Sequence, residues 1–409
     1  MHKKWQRAFM MIFTGQLFSI LTSSMVQFAV LWHLTATTGS ASVLLLAGLA
    51  AFLPQALLGL FVGVWIDRWN RKITMIAADG IIALFSLLLG LYFYLGDPAL
   101  PVVFSILVIR SAASAFHAPA FQAAIPLIAP EDQLTRVAGW QQMVFSVSSI
   151  LGPALGIAVY SASSLGAVLL LDVAGAVFAC AMLIRVKIPP QQRDSAEAES
   201  PSFLREFRSG WRAFVTVKPI IRLTVVTIVF SIVFTPLATL FPLMTFRHFG
   251  LGGYAASVVE AAFGIGMIAG GAALSCFAGK ISDTAFVSLS LILIGLTCLL
   301  SGILPSAAFA GFVALSFVMG AAAPLFNGPY MAMIQKAYRP EQLGRVLSLV
   351  TSLTMLSSPI GLAVAGPIVD IYGVPFWFLG SGIVIVGLGT WILLRARLFR
   401  TAEVPEEKA

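Results

Sequence analysis

Five ionisable side chains, Asp79, Arg110, His117, Asp172 and Glu260, stand inside stretches that are otherwise almost wholly apolar. A charge held away from water must be paired or neutralised, so an acid in such a place meets a cation or takes up a proton. Arg110 and Asp172 fall at similar depth in their stretches and can pair across helices. Asp79 and Glu260 have no evident basic partner, and reversible protonation is the chemistry open to them. Asp79, Asp172 and Glu260 are therefore the candidates for carrying a coupled proton. Asp79 also stands close to a compact charged turn, Gly63-Val64-Trp65-Ile66-Asp67-Arg68-Trp69-Asn70-Arg71-Lys72, and a structural link to that turn is the reading preferred for it. His117 is read as a satisfied polar contact rather than a shuttle. No nucleophile with its base and no His, Asp or Glu metal cluster is evident, so neither an enzyme nor a cofactor is expected.

The elements that must position these groups follow from composition. Of 409 residues, 59% are hydrophobic and 10% charged, too polar-poor to cover a surface in water. The solvent must be largely lipid. About 20 apolar residues cross a hydrocarbon core ~30 Å thick. Twelve stretches meet that length, near 9–33, 43–66, 73–95, 101–123, 137–160, 165–186, 221–246, 254–279, 284–303, 308–334, 346–369 and 375–395. Long continuous runs, in place of short alternating ones, exclude a β-barrel, and the fold class is an all-α membrane protein. Of the 25 Lys and Arg residues, only Arg247 falls on one side of the threaded chain and only Arg110 within the layer. The rest share the other side, which makes both termini cytoplasmic by the positive-inside rule. The net charge of +8 thus reports topology and not nucleic-acid binding. Cys180, Cys276 and Cys298 sit in spans, so no disulfide framework is implied. A Walker glycine loop is missing and the longest polar segment is far shorter than a domain, which excludes ATP hydrolysis by this chain.

That polar segment, 189–218 with an amphipathic 203–217, divides six spans (1–188) from six (219–400), with a short tail, 401–409. The halves echo one another. Phe116-His117-Ala118-Pro119 matches Phe326-Asn327-Gly328-Pro329 at an offset of 210 residues, and Pro130-Glu131 matches Pro340-Glu341 at the same offset. A shared register across a span and its loop points to duplication, and paired six-helix bundles place a site between them.

Several spans carry polar stripes at helical spacing. In the first, Gln16, Ser19, Ser23 and Gln27 fall within roughly 80° of one another. Arg110, Ser114 and His117 do so in the fourth, and their offset partners Gly320, Pro324 and Asn327 share a face of the tenth. Phe145 stands with Gln141 and Ser148 on the fifth, Ser231 with Thr224, Thr227 and Thr235 on the seventh, and Ser352 with Ser348 on the eleventh. Polar faces in lipid turn to protein or water, so these stripes outline a cavity able to receive a bulky apolar ligand, or are spent on hydrogen bonds between helices.

With these residues in view, the whole chain resembles the major facilitator superfamily. Gly63-x-x-x-Asp67-Arg68-x-x-Arg71-Lys72 is similar to its loop signature, with Asn70 in place of the usual glycine, and Gly152-Pro153-Ala154-Leu155-Gly156 is similar to its antiporter motif. Ser19-Ile20-Leu21-Thr22-Ser23, Arg110-Ser111 and Ala115-Phe116-His117-Ala118-Pro119-Ala120 resemble the macrolide-efflux branch. A second copy of the loop signature survives only as Gly279-Lys280 and Asp283. The resemblance implies two pseudo-symmetric six-helix bundles, with Gly63, Asp67, Arg68, Arg71 and Lys72 as a gate and Gly152, Pro153 and Gly156 bearing on direction. It implies export of a macrolide-like amphiphile in exchange for protons by alternating access, from a monomer in a plasma membrane, the inner membrane of a bacterium. A siderophore exporter or a lysophospholipid flippase is the alternative. Gly59 and Gly63, four residues apart, are expected to let the second helix approach a neighbour closely.

Overall fold

The computed structural model describes residues 2–96, 98–130, 133–186, 203–277 and 280–399. These form thirteen α-helices: α1 (His2–Thr38), α2 (Ala41–Arg68), α3 (Arg71–Leu95), α4 (Leu100–Ala124), α5 (Leu134–Ala162), α6 (Leu165–Arg185), α7 (Phe203–Phe214), α8 (Lys218–Arg247), α9 (Gly253–Phe277), α10 (Asp283–Ile303), α11 (Phe309–Ala337), α12 (Pro340–Tyr372) and α13 (Val374–Leu394). All but α7 are long and apolar enough to cross a membrane, giving the 12 spans expected. In hydrocarbon a helix satisfies its own backbone polar groups, which is why runs of this composition settle on this element.

The ends are set by capping. Ser40, Asn70, Ser164 and Ser282 each accept a hydrogen bond from the first turn of the helix that follows. Asn70 accepts from both Lys72 and Ile73, so the residue that departs from the loop signature is the N-cap of α3 and shortens the turn to Trp69-Asn70. α5 runs unbroken through Pro153.

The chain divides into two compact units, residues 1–193 with 252–261, and residues 194–251 with 262–409. In the first, α1 packs on α5 and α6, α3 on α4 and α6, and α2 on α4. In the second, α8 packs on α12 and α13, and α10 on α11 and α13. Four of the five pairings of the first unit recur in the second, shifted by seven helices, as a duplicated six-helix bundle produces. Small residues make the seams: Gly295 and Gly302 of α10 lie against α13 so closely that an added Cβ would meet backbone at 2.6 and 2.9 Å.

One member of the tenth-span stripe is corrected by this packing. A Cβ on Gly320 would overlap the Phe263 carbonyl of α9, so Gly320 is spent on α9–α11 contact. Gly59 is corrected in the opposite sense: a Cβ there would meet nothing within 4 Å. A small residue permits close approach without forcing it, and the neighbour decides.

The amphipathic segment forms α7, which packs on α12. Tyr338, just past α11, donates its hydroxyl to the Phe214 carbonyl at 3.2 Å. Burial, with Tyr330 adding to it, pushes the Tyr338 phenol up to about 12, so it remains a donor across the physiological range.

Candidate functional site

The first unit concentrates its charge chemistry in two layers. In one, Asp172 of α6 is 1% exposed and fully engaged: Arg110 Nη1 of α4 reaches Oδ2 at 2.7 Å, Ser86 Oγ of α3 donates to Oδ2 at 2.7 Å, and Ser23 Oγ of α1 donates to Oδ1 at 2.9 Å. Four helices are tied at one carboxylate. The close approach of α1 and α6 that permits this comes from Gly175, where a Cβ would overlap the Thr22 hydroxyl. The pairing of Arg110 with Asp172 was legible from depth alone. The part of Ser86 was not, because one serine in an apolar run carries no signal of its partner.

Seven residues along α3 and α4, about 10 Å toward the α2–α3 turn, lies the second layer. His117 Nε2 of α4 sits 3.3 Å from Asp79 Oδ1 of α3, their side chains 12% and 3% exposed. This corrects the expectation that Asp79 lacks a basic partner. The sequence hid it because the two residues are far apart in the chain and meet only when both helices are set in phase. Asp79 Oδ2 is buried with no hydrogen-bond partner, as is Oε1 of Gln16, which precedes Ser23 by the same seven residues on α1.

The charged turn closes this end of the unit. Arg71 Nη1 donates to the Ala123 carbonyl at the end of α4 at 2.9 Å, and Lys72 Nζ donates to the Ile184 and Val186 carbonyls at the end of α6 at 2.9 and 2.7 Å. Both cations satisfy carbonyls that a helix C-terminus leaves unpaired, where its dipole is negative. For Gly63, Asp67 and Arg68 the backbone is helical, and their side-chain surroundings lie outside the described residues. Lys72→Ala is expected to lower the melting temperature of the detergent-purified protein by a few degrees, for a loss of about 1.5 kcal/mol, while Lys72→Arg recovers most of it. An unchanged melting temperature in Lys72→Ala would remove this clamp. In the second unit the corresponding seam is closed by Lys336 and Asp283 at 2.8 Å, while Gly279 lies outside the described residues.

Beside the second layer, Trp65, Trp69 and Phe116 stack with ring planes 10–13° apart. Trp69 and Phe116 line an apolar groove of about 630 Å³ between α3 and α4, with Ile73, Ala77, Ile81 and Ala113.

The other site candidates separate. In the first unit Ser114 is half-buried, Gln27 is exposed, and Phe145 is 60% exposed. In the second, Ser231 is half-buried and Asn327 exposed, and Ser352 Oγ donates to the Ser348 carbonyl at 2.8 Å. The stripe carrying Ser231 is partly consumed between helices: Thr224 bonds the Tyr330 hydroxyl at 3.2 Å, and Thr235 donates to Ser358 at 3.1 Å. Glu260 is half-buried on α9. Gly152 and Gly156 lie against α1 at Ser24 and Met25.

The Major Facilitator Superfamily model matches residues 12–286 and 257–409. Macrolide efflux protein A of Streptococcus pyogenes is 37% identical over 385 residues, covering 94% of this chain and 95% of that protein. The protein of the same name from Enterococcus faecalis is 37% identical over 79% of this chain and all of that one. Multidrug efflux pump Tap of Mycolicibacterium fortuitum is 26% identical over 90% of each. Among solved structures, a bacterial homologue of the human lysosomal transporter Spinster, inward-facing and unoccupied, superposes with TM-score 0.73 at 14% identity over 97% of each chain. The nucleoside transporter NupG does so with TM-score 0.73 at 11% identity, over 97% of this chain and 100% of that one. Twelve membrane-length helices, a packing pattern repeated in two units and a relative this similar along nearly its whole length agree: the chain belongs to the major facilitator superfamily, as a multi-pass transporter of the bacterial plasma membrane in the branch of the macrolide efflux proteins.

Proposed function

We propose that this transporter exports a macrolide-like amphiphile in exchange for protons by alternating access, with the α2–α3 turn at the cytoplasmic face. The observation that carries the cargo is the 37% identity to Macrolide efflux protein A over 94% of the chain. The energy source is argued from the ionisable groups kept within the spans, Asp79, Arg110, His117, Asp172 and Glu260, since such groups are expensive in lipid and mark ion pathways. One proton moving down 100 mV supplies ~2.3 kcal/mol, enough to hold a roughly fifty-fold gradient of an uncharged solute. Gln16, Gln27, Ser114, Phe145, Ser231, Asn327 and Ser352 remain the proposed cavity residues, and Asp67, Arg68 and Arg71 the proposed gate.

The test is accumulation of labelled erythromycin in cells expressing the protein, with and without a protonophore. Lowered accumulation that the protonophore restores is the expected result; accumulation equal to that of control cells would remove macrolides as cargo. The second reading, a lysophospholipid flippase, draws on the apolar groove between α3 and α4 and predicts instead protonophore-sensitive movement of a labelled lysophospholipid.

A further inference from the structure

We propose that Asp79 and His117 together bind the exchanged proton, and that Asp172, the more elaborately held acid, does not. This rests on the proton-exchange reading and deepens it. Asp172 receives three donors and is balanced by a guanidinium, a group that stays protonated. Its charge is already compensated where it stands. The Asp79 layer is built differently. One carboxylate oxygen is bare and buried, the other stands 3.3 Å from an imidazole whose Nε2 makes no hydrogen bond, and imidazole is the side chain that changes charge near neutral pH. An ionised carboxylate beside a neutral ring here is a buried charge without compensation; one added proton converts it into an imidazolium–carboxylate pair. The proton comes from water and returns to water, and no electrons move.

The groups facing the pair are few. On α6, Cys180 donates to the Ile76 carbonyl at 3.9 Å, one turn before Asp79, with Arg185 at the helix end and Asp172 in the other layer. Besides His117, α4 carries only Arg110, seven residues earlier, and α3 itself carries Arg71 and Lys72 about two turns away, both reaching helix-end carbonyls. On α1, the buried amide of Gln16 is neutral. On α2, which packs on α4, the charged residues are Asp67 and Arg68, whose side-chain surroundings lie outside the described residues. Among the described side chains, the pair is thus the group of this layer that can gain and lose a proton without an outside partner.

The chain has four histidines, so ¹⁵N-histidine labelling of the full-length protein in lipid nanodiscs gives a spectrum simple enough to titrate. One ring is expected to give a pH-dependent signal that is missing in His117→Gln and altered in Asp79→Asn. A His117 signal that Asp79→Asn leaves unaltered would overturn the pair. In proteoliposomes loaded with erythromycin, the ratio of pH-gradient-driven flux to erythromycin counterflow is expected to fall about tenfold or more in either variant, with the double variant no lower than the singles. A ratio equal to wild type in both single variants would overturn the proposal, and counterflow reports folded protein independently. If the wild type ignores the pH gradient, proton exchange itself fails, and the ring titration alone then decides whether the pair exists.

Discussion

Arg110→Leu is expected to destabilise the protein far more than replacing both members of its ion pair. Asp172 is 1% exposed, and without the guanidinium at 2.7 Å its charge is left to two serine hydroxyls. Breaking a buried pair from one side costs about 3–5 kcal/mol, because the desolvation already spent on the survivor is no longer offset. Removing both charges with residues of similar volume, Arg110→Met with Asp172→Leu, removes that penalty too and is expected to recover most of the stability. Thermal unfolding of the three proteins in detergent separates the cases: a melting temperature well below wild type for the single variant and near it for the double. Equal melting temperatures for wild type and Arg110→Leu would show that the four-helix tie at Asp172 contributes nothing to the fold. Export by the double variant is expected to be lost, since Ser23, Ser86 and Arg110 can no longer set α1, α3, α4 and α6 in one register.

Gly156→Val is expected to prevent folded protein from accumulating in the membrane, whereas Gly59→Val is expected to accumulate as wild type does. A Cβ at Gly156 would stand 2.7 Å from the Met25 carbonyl oxygen and 3.1 Å from its Cα, and one at Gly152 would overlap the Ser24 side chain. Overfilling a packed interior costs about 1–3 kcal/mol when neighbouring side chains can shift. Here the neighbour is the backbone of α1, so the two helices must separate along a whole seam. Gly59 belongs to the loop-signature helix and looks equivalent in sequence, yet a Cβ there meets open space. Quantifying membrane-inserted protein by size-exclusion fluorescence checks both. Normal accumulation of Gly156→Val would mean that the Gly-Pro-x-x-Gly segment is not a packing face, and its effect on transport could then be read directly.

The contrast between these glycines shows how far residue type reaches. Asp172 and Arg110 were paired from depth because hydrophobic length fixes where a residue sits along the membrane normal. Asp79 and His117 escaped the same reasoning, since depth says nothing of which way a side chain points around its helix. Arg71 and Lys72 entered the gate through the resemblance; that their side chains reach the ends of α4 and α6 depends on those helices stopping within reach, which the loop residues do not encode.

Span count, helical class, the duplication and the family all follow from the chain alone, because lipid leaves a long apolar segment one backbone solution and a repeated register survives in the residues. What only the tertiary structure decided is the phase and spacing of the helices. That phase turned Gly320 into a packing seat for Phe263, brought Ser86 to Asp172 and set His117 beside Asp79. Each of these contacts depends on a rotation of a few tens of degrees about a helix axis, and that rotation is chosen by the summed packing of neighbours, which no single segment contains.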